Sequence, residues 1–200
     1  MSSLRIGGAT VNQTPLDWDN NVSNIISAIE DAKKQQIQIL CFPELSLTGY
    51  GCEDLFLSEW LSEKAWLHLQ KVIPHCDTIT ACVGLPIRIN GITYNGICVI
   101  QDQKVIGITL KQNMARDGVH YEPRWFDAWP AGKTQEITIQ GQGVHVGDLI
   151  YEAHRIKFGF EICEDAWRKE KRPGYRLAQR GVDLIMNPSA SHFAMGKSQL

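Results

Sequence analysis

The stretch that decides the fold is "IQILCFPEL", residues 37–45. Residues 37–42 form a near-continuous apolar run, which is typical of a strand buried on both faces of a sheet. Pro43 has no backbone N–H to continue the hydrogen-bond ladder, so the strand ends there and Glu44 lies at its exit. The pattern therefore predicts a sheet that is covered on both sides.

The residues before this strand predict a strand followed by a helix. "LRIGGATVN", residues 4–12, is predicted to be a strand. An Asp/Asn cluster that can cap a helix opens "DNNVSNIISAIEDAKKQQ", residues 19–36, and apolar residues then recur at helical spacing: Val22, Ile25, Ile26 and Ile29. A second amphipathic segment is predicted at residues 54–72.

The rest of the chain alternates turns with short strands. Residues 78–112 carry β-branched residues between turn signals at Asn90-Gly91 and Asp102-Gln103, which predicts an antiparallel meander. After a long polar and aromatic loop come "EITIQ" and "IKFGFEI", a short helix and the strand "VDLIM". We predict one α/β domain with a mixed sheet, and we expect the sheet to be incomplete at residue 200.

Composition limits the classes of function. The 200 residues are 44% hydrophobic and 21% charged, as in a soluble globular protein, and no apolar run is long enough to cross a membrane. A net charge of −2 provides no basic face for nucleic acid. Without a signal peptide we expect a cytoplasmic protein. Its six cysteines are irregularly spaced, so we expect them to be reduced thiols. The spacing of its Cys and His residues fits no zinc-binding pattern.

Three polar residues follow predicted strands, where open α/β sheets usually build ligand sites: Glu44, Lys111 and Cys163. Each alone is more often structural. Together they supply a thiol nucleophile, a base for its proton and a cation for an oxyanion. A thiol–imidazole pair of Cys163 with His154 or His192 is an alternative, but it leaves the glutamate and the lysine without a role.

The order of these residues resembles a known family. Glu44 in "FPELSLTGY", Lys111 in "LKQNMARDGVHYEPRWF" and Cys163 in "EICEDAW" resemble the Glu-Lys-Cys triad of the nitrilase (carbon–nitrogen hydrolase) superfamily. More narrowly, "TGYGCEDLF" and "NPSASHFAMGK" resemble the N-terminal glutaminase domains of glutamine-dependent NAD⁺ synthetases. The resemblance covers residues 1–200 and implies an α-β-β-α sandwich with mixed sheets. It also implies that the C-terminal part of this domain and a synthetase domain are missing from this sequence.

The resemblance also implies roles for individual residues. Cys163 would attack the side-chain amide of glutamine, Glu44 would be the general base and acid, and Lys111 would stabilise the oxyanion together with the backbone N–H of Glu164. Glu122 would have a supporting role beside the lysine. The two carboxylates that follow the cysteine would by themselves raise its pKa.

Substrate contacts are implied at four positions: Tyr50, Trp167, Ser189 and Ser191. The aromatic pair could equally be core residues, and the serines could only satisfy the backbone of a turn. Asp117 occupies a position that some relatives use to contact glutamine.

Cofactors and partners follow from the same resemblance. No cofactor or metal is expected in these residues, whereas ATP and Mg²⁺ are expected in the synthetase domain, where ammonia from glutamine would amidate deamido-NAD. A homo-oligomer is expected for the full enzyme. The alternatives are a stand-alone aliphatic amidase or carbamoylase of the same superfamily and a non-catalytic fragment.

Overall fold

The computed structural model of the chain describes residues 4–116, 121–191 and 195. Its helices are α1 (Trp18–Lys34), α2 (Glu59–Val72) and α3 (Pro173–Gln179). Its strands are β1 (Ile6–Gly8), β2 (Ile39–Cys41), β3 (Thr80–Ile89), β4 (Ile92–Gln101), β5 (Lys104–Leu110), β6 (Thr134–Ile139), β7 (Gln142–Gly147), β8 (Tyr151–Ala153), β9 (Ile156–Phe160) and β10 (Leu184–Met186). Short 3₁₀ helices occupy Glu53–Leu57, Ile73–His75, Glu122–Arg124, Cys163–Trp167 and Lys169–Lys171.

The strands form two mixed sheets. The larger sheet has the order β1-β2-β3-β4-β5-β7-β6, in which β1, β2 and β3 are parallel and β3, β4 and β5 form the predicted antiparallel meander. The smaller sheet has the order β10-β9-β8, with β10 parallel and β8 antiparallel to β9. Since β2 and β5 run in the same direction, the residues that follow them emerge at the same edge of the larger sheet.

The two sheets pack face to face between helical layers. One apolar cluster joins α1 and α2 to the larger sheet, where residues such as Ile25 and Leu61 are fully buried. A second cluster joins the opposite face of that sheet to the smaller sheet, where Ile97 and Phe158 are fully buried. Helix α3 lies against β9, and a Cβ at Gly159 would be 2.6 Å from a Leu177 methyl carbon. The predicted α-β-β-α sandwich is confirmed.

Two strands were not predicted from the sequence. β7 contains two glycines, and the β6–β7 turn at Gln140-Gly141 lacks the stronger Asn-Gly signal. β8 spans only three residues, too few for a period-2 pattern. Both strands depend on pairing with a neighbour, β6 for β7 and β9 for β8, rather than on local propensity.

Candidate active site

Glu44 is placed by a tight turn that directly follows β2 and packs against Gly84 of the neighbouring strand β3. A Cβ at Gly84 would lie 2.4 Å from the backbone nitrogen of Leu45 and 2.5 Å from the carbonyl oxygen of Pro43, so only glycine allows the two segments to approach. The N–H of Gly84 also donates to the hydroxyl of Ser46 at 3.1 Å. In this turn Glu44 lies at the edge of the sheet and is only 2% exposed.

Lys111 joins two buried carboxylates. Its Nζ lies 2.5 Å from Oε1 of Glu44 and 2.7 Å from Oε1 of Glu122, and all three side chains are almost fully buried. Burial acts to lower the pKa of Lys111, but the two carboxylates outweigh it and hold the pKa above its ordinary value. Burial raises the pKa of Glu44, and the lysine opposes that increase. The centre therefore holds a permanent cation beside a carboxylate that is primed to accept a proton.

Glu122 has both carboxylate oxygens engaged. Oε1 accepts hydrogen bonds from Lys111 and from the hydroxyl of Tyr50 at 3.0 Å, and Oε2 accepts one from the backbone N–H of Ala115 at 2.6 Å. A carboxylate with this many donors suits the supporting role expected from the sequence rather than proton transfer. The predicted substrate residue Tyr50 is half-buried, and its hydroxyl contacts this glutamate.

Cys163 begins a 3₁₀ helix directly after β9 and is partly exposed. Its φ of 46° is in the left-handed region, which costs a non-glycine residue roughly 1–2 kcal/mol. The turn is held by the N–H of Cys163, which donates to the carbonyl of Pro188 at 3.0 Å, and by the Asn187 amide, which donates to the Glu161 carbonyl at 2.5 Å. Glu164 contributes one of the first N–H groups of this helix, which lack intrahelical acceptors and can face an anion.

The thiol of Cys163 is neutral in the resting site. Burial raises its pKa first and the charge of Glu44 raises it further, whereas Lys111 and the side chain of Ser189 act in the opposite direction. The flanking carboxylates expected to raise it are directed elsewhere. That of Glu164 pairs with an arginine at 2.6 Å, and that of Asp165 is buried under the turn. Attack by this sulfur therefore requires a base.

Asp165 connects the cysteine turn to the segment after Lys111. Its Oδ1 accepts hydrogen bonds from the backbone N–H of Gln112 at 3.2 Å, the backbone N–H of Asn113 at 2.7 Å and the Asn113 side chain at 2.8 Å. Its Oδ2 accepts the N–H of Ile162 at 2.9 Å. Burial raises the pKa of Asp165 to about 6. One carboxylate thus couples the positions of nucleophile and cation.

The remaining predicted site residues are more exposed than the Glu44–Lys111–Glu122 cluster. Trp167 is 76% exposed, so the interpretation of it as a core aromatic is wrong. Ser189 is half-buried and donates to the Asn187 side chain at 2.8 Å, while Ser191 is exposed. Asp117 and His192 are outside the described residues.

The alternative thiol–imidazole pair with His154 does not fit the fold. His154 lies in the turn before β9, whereas Cys163 follows the other end of that strand. Its Nδ1 is 3.5 Å from the Gln38 side chain.

Sequence reasoning missed three residues that build the site: Gly84, Asn95 and Asp165. The Nδ2 of Asn95 donates to Oε1 of Glu44 at 2.7 Å. The sequence feature that could have identified Asn95 is the Asn95-Gly96 pair, because an Asn-Gly pair usually marks a turn and this one lies inside the apolar strand β4. Asp165 was treated only as a charge beside the cysteine, because only the fold shows which donors surround it.

No group of three or more His, Cys, Asp or Glu side chains that could hold a metal ion occurs within residues 4–116, 121–191 and 195. The other cysteines are not activated. Burial raises the pKa of Cys41 and of Cys76 to about 12 and that of Cys52 to about 11. In the same described part of the chain, no helix is long and apolar enough to cross a membrane.

Comparison with known proteins places this geometry in a family. The sequence pattern of the family described as "Carbon-nitrogen hydrolase" matches residues 5–200. The chain belongs to the carbon-nitrogen hydrolase family. It is 31% identical over 212 residues to a glutamine-dependent NAD(+) synthetase from Oryza sativa subsp. indica, covering all of this chain and 29% of that protein.

Solved structures give the same result. The chain is similar to the crystal structure of a glutamine-dependent NAD(+) synthetase from Cytophaga hutchinsonii, with 48% identity, a TM-score of 0.90, and coverage of 99% of this chain and 32% of that one. It is also similar to the enzyme from Acinetobacter baumannii in complex with adenosine diphosphate, with 30% identity, a TM-score of 0.76, and coverage of 96% and 34%. The chain therefore spans about a third of the length of these relatives.

Proposed function

We propose that residues 1–200 are a glutaminase domain of the carbon–nitrogen hydrolase type, which hydrolyses the side-chain amide of glutamine through a thioester on Cys163. The observation that carries the proposal is that the Glu44–Lys111 ion pair lies beside the loop that holds Cys163. In this loop the N–H of Ala190 donates to Oε2 of Glu44 at 3.3 Å, and the carbonyl of Pro188 accepts the N–H of Cys163 at 3.0 Å. The names of the relatives support glutamine as the amide.

The first half of the reaction forms the thioester. Glu44 takes the proton from the thiol as the sulfur attacks the amide carbon, and the carbonyl π bond becomes an oxyanion. The ammonium of Lys111 and the backbone N–H of Glu164 stabilise this oxyanion, because their charge is in place before the oxyanion develops. The C–N bond then breaks as Glu44 returns its proton to the nitrogen, and ammonia leaves.

The second half restores the enzyme. Glu44 takes a proton from water as the oxygen attacks the thioester carbon, the C–S bond breaks, and the thiolate of Cys163 regains the proton. The products are glutamate and ammonia, and each half of the reaction returns Glu44 to its ionised starting state. Glu122 holds Lys111 in place throughout, since both of its oxygens are occupied.

The partner of this domain is proposed to be a synthetase domain in the same longer protein. There ATP and Mg²⁺ would activate deamido-NAD, and ammonia that travels through the protein would amidate it to NAD. The short coverage of the relatives and the bound adenosine diphosphate in one of them support this division. A homo-oligomer and a cytoplasmic location stay predictions.

Replacing the nucleophile tests the proposal. In the full-length protein, Cys163→Ala should abolish glutamine-dependent NAD formation and preserve formation from added ammonium salt, because only ammonia release uses the thiol. Cys41→Ala is a matched control, since Cys41 is the other half-buried cysteine and its thiol has a high pKa. Equal loss of both activities in Cys163→Ala would contradict the separation into two sites.

A panel of amides tests the substrate. Ammonia release from glutamine should exceed release from asparagine, short aliphatic amides and carbamoyl amino acids. A preference for one of the other amides would favour a stand-alone amidase or carbamoylase. No release from any of them would favour a non-catalytic domain.

A further inference from the structure

We propose that Asn95 is a positioning residue that determines which oxygen of Glu44 transfers protons: it occupies Oε1, so that Oε2 is the base. This inference rests on the proposed function, in which Glu44 exchanges protons with Cys163, the leaving nitrogen and water. Asn95 touches none of the reacting atoms and acts only through the glutamate.

Asn95 is built into the sheet opposite the catalytic lysine. It lies on β4, where its carbonyl accepts the backbone N–H of Lys111 at 2.9 Å. Side chains alternate along a strand, so Asn95 shares the face of Ile97 and Val99, which packs against the smaller sheet that carries Cys163. Asn95 is fully buried, and its amide is held by the sheet rather than by a loop.

The two oxygens of Glu44 have different surroundings. Oε1 accepts Nζ of Lys111 at 2.5 Å and Nδ2 of Asn95 at 2.7 Å. Oε2 accepts only a long hydrogen bond, from the backbone N–H of Ala190 at 3.3 Å, within the part of the chain that the structure describes. A proton on Oε1 would displace one of two short bonds, whereas a proton on Oε2 displaces neither. The geometry therefore assigns proton transfer to Oε2.

The other end of the Asn95 amide makes no hydrogen bond that would stabilise the fold, within the part of the chain that the structure describes. Among the described residues, Oδ1 of Asn95 is buried and has no hydrogen-bond partner. A buried unsatisfied acceptor destabilises a protein, and a leucine of similar size would remove it. What leucine cannot supply is the Nδ2 donor to Glu44.

Removing that donor changes the titration of Glu44 in a known direction. The charged groups that act on Glu44 are Lys111, which directly follows β5, and Glu122 from its 3₁₀ helix. Glu44 acts in turn on Tyr50 and Cys163. The hydrogen bond from Asn95 lowers the pKa of Glu44, so its loss raises that pKa. The acidic limb of the pH profile then moves to higher pH, because Glu44 must be ionised to act as a base.

The test uses Asn95→Leu in the full-length protein, with Thr109→Val as the matched control. Thr109 is a buried polar residue on the neighbouring strand, and its hydroxyl contacts Tyr151 at 3.0 Å instead of the site. For Asn95→Leu we expect kcat/KM for glutamine to fall about ten- to a hundredfold and its acidic limb to rise by about one to two pH units, as for one hydrogen bond to a charged group. The control should lower the thermal midpoint and leave the acidic limb where it is.

A second readout does not depend on the substrate. Infrared difference spectroscopy follows the carboxylic acid band that Glu44→Gln removes, and this band should titrate at higher pH in Asn95→Leu. If the leucine variant does not fold, Asn95→Asp takes its place. It adds a carboxylate beside Glu44, in addition to that of Glu122, and should shift the band to still higher pH. If the wild-type protein releases no ammonia from glutamine, the proposed function fails, and the infrared shift still decides the role of Asn95. An unshifted band, or an equal shift in Thr109→Val, overturns the inference.

Discussion

Replacing Asp165 with asparagine should change how the stability of this domain depends on pH. The carboxyl is 1% exposed, and burial raises its pKa from an ordinary 3.8 to about 6. The folded protein therefore binds more protons than the unfolded chain between these values, so stability falls as pH rises from 3.8 to about 6. Asparagine resembles the neutral acid and does not titrate.

The magnitude follows from the interval between the two pKa values. At about 1.4 kcal/mol per pH unit, the interval from 3.8 to about 6 corresponds to about 3 kcal/mol in the free energy of unfolding. About 2 kcal/mol of this falls between about pH 4.5 and pH 7.5. The hydrogen bonds from Asn113 and Ile162 favour the ionised carboxylate and oppose the effect of burial, and the pKa of about 6 already includes them. Any difference between the variants that does not change with ionisation cancels when two pH values are compared.

Scanning calorimetry of the full-length protein measures this effect. From about pH 4.5 to 7.5, the midpoint of Asp165→Asn should rise relative to wild type by about 4–8 °C, since 1 kcal/mol moves a domain of this size by about 2–4 °C. Asp127→Asn is the control, because Asp127 is exposed. Parallel midpoints for Asp165→Asn and wild type over the whole range would refute the raised pKa and the reasoning from burial.

Three further changes separate stability from catalysis. Gly84→Ala places a Cβ 2.4 Å from the Leu45 nitrogen and should cost at least about 2 kcal/mol in chemical unfolding. Lys111→Met leaves two buried carboxylates, including that of Glu44, without their cation; it should abolish ammonia release and cost about 3–5 kcal/mol at neutral pH, with less loss at pH 5. Trp167→Ala should raise KM for glutamine and shift stability by no more than about 0.5 kcal/mol, because the ring is 76% exposed; an unchanged KM would contradict substrate contact.

The sequence predicts the parts of the fold whose residues carry their own periodicity. The apolar run at residues 37–42, the helix at 19–36 and the meander after residue 78 all occur in the structure, because burial on one or two faces imposes a local pattern. β7 and β8 were not predicted, since each depends on a neighbouring strand.

The same distinction holds at the site. Glu44, Lys111 and Cys163 could be singled out from the sequence, because polar residues at strand exits and an ordered set of motifs are visible in one dimension. Asn95 and Asp165 could not, because each matters through donors or acceptors that are distant along the chain. Asn95 is 51 positions from the carboxylate that it binds.

The sequence by itself therefore determined the class of fold and the chemical inventory: a sheet covered on both faces, a thiol, a base and a cation. Only the tertiary structure decided the electrostatic state of that inventory. Burial beside Glu44 keeps the thiol of Cys163 neutral, and two carboxylates keep Lys111 charged. These states depend on distances between three separate strand exits and on the exclusion of water, neither of which is encoded in any single stretch of residues.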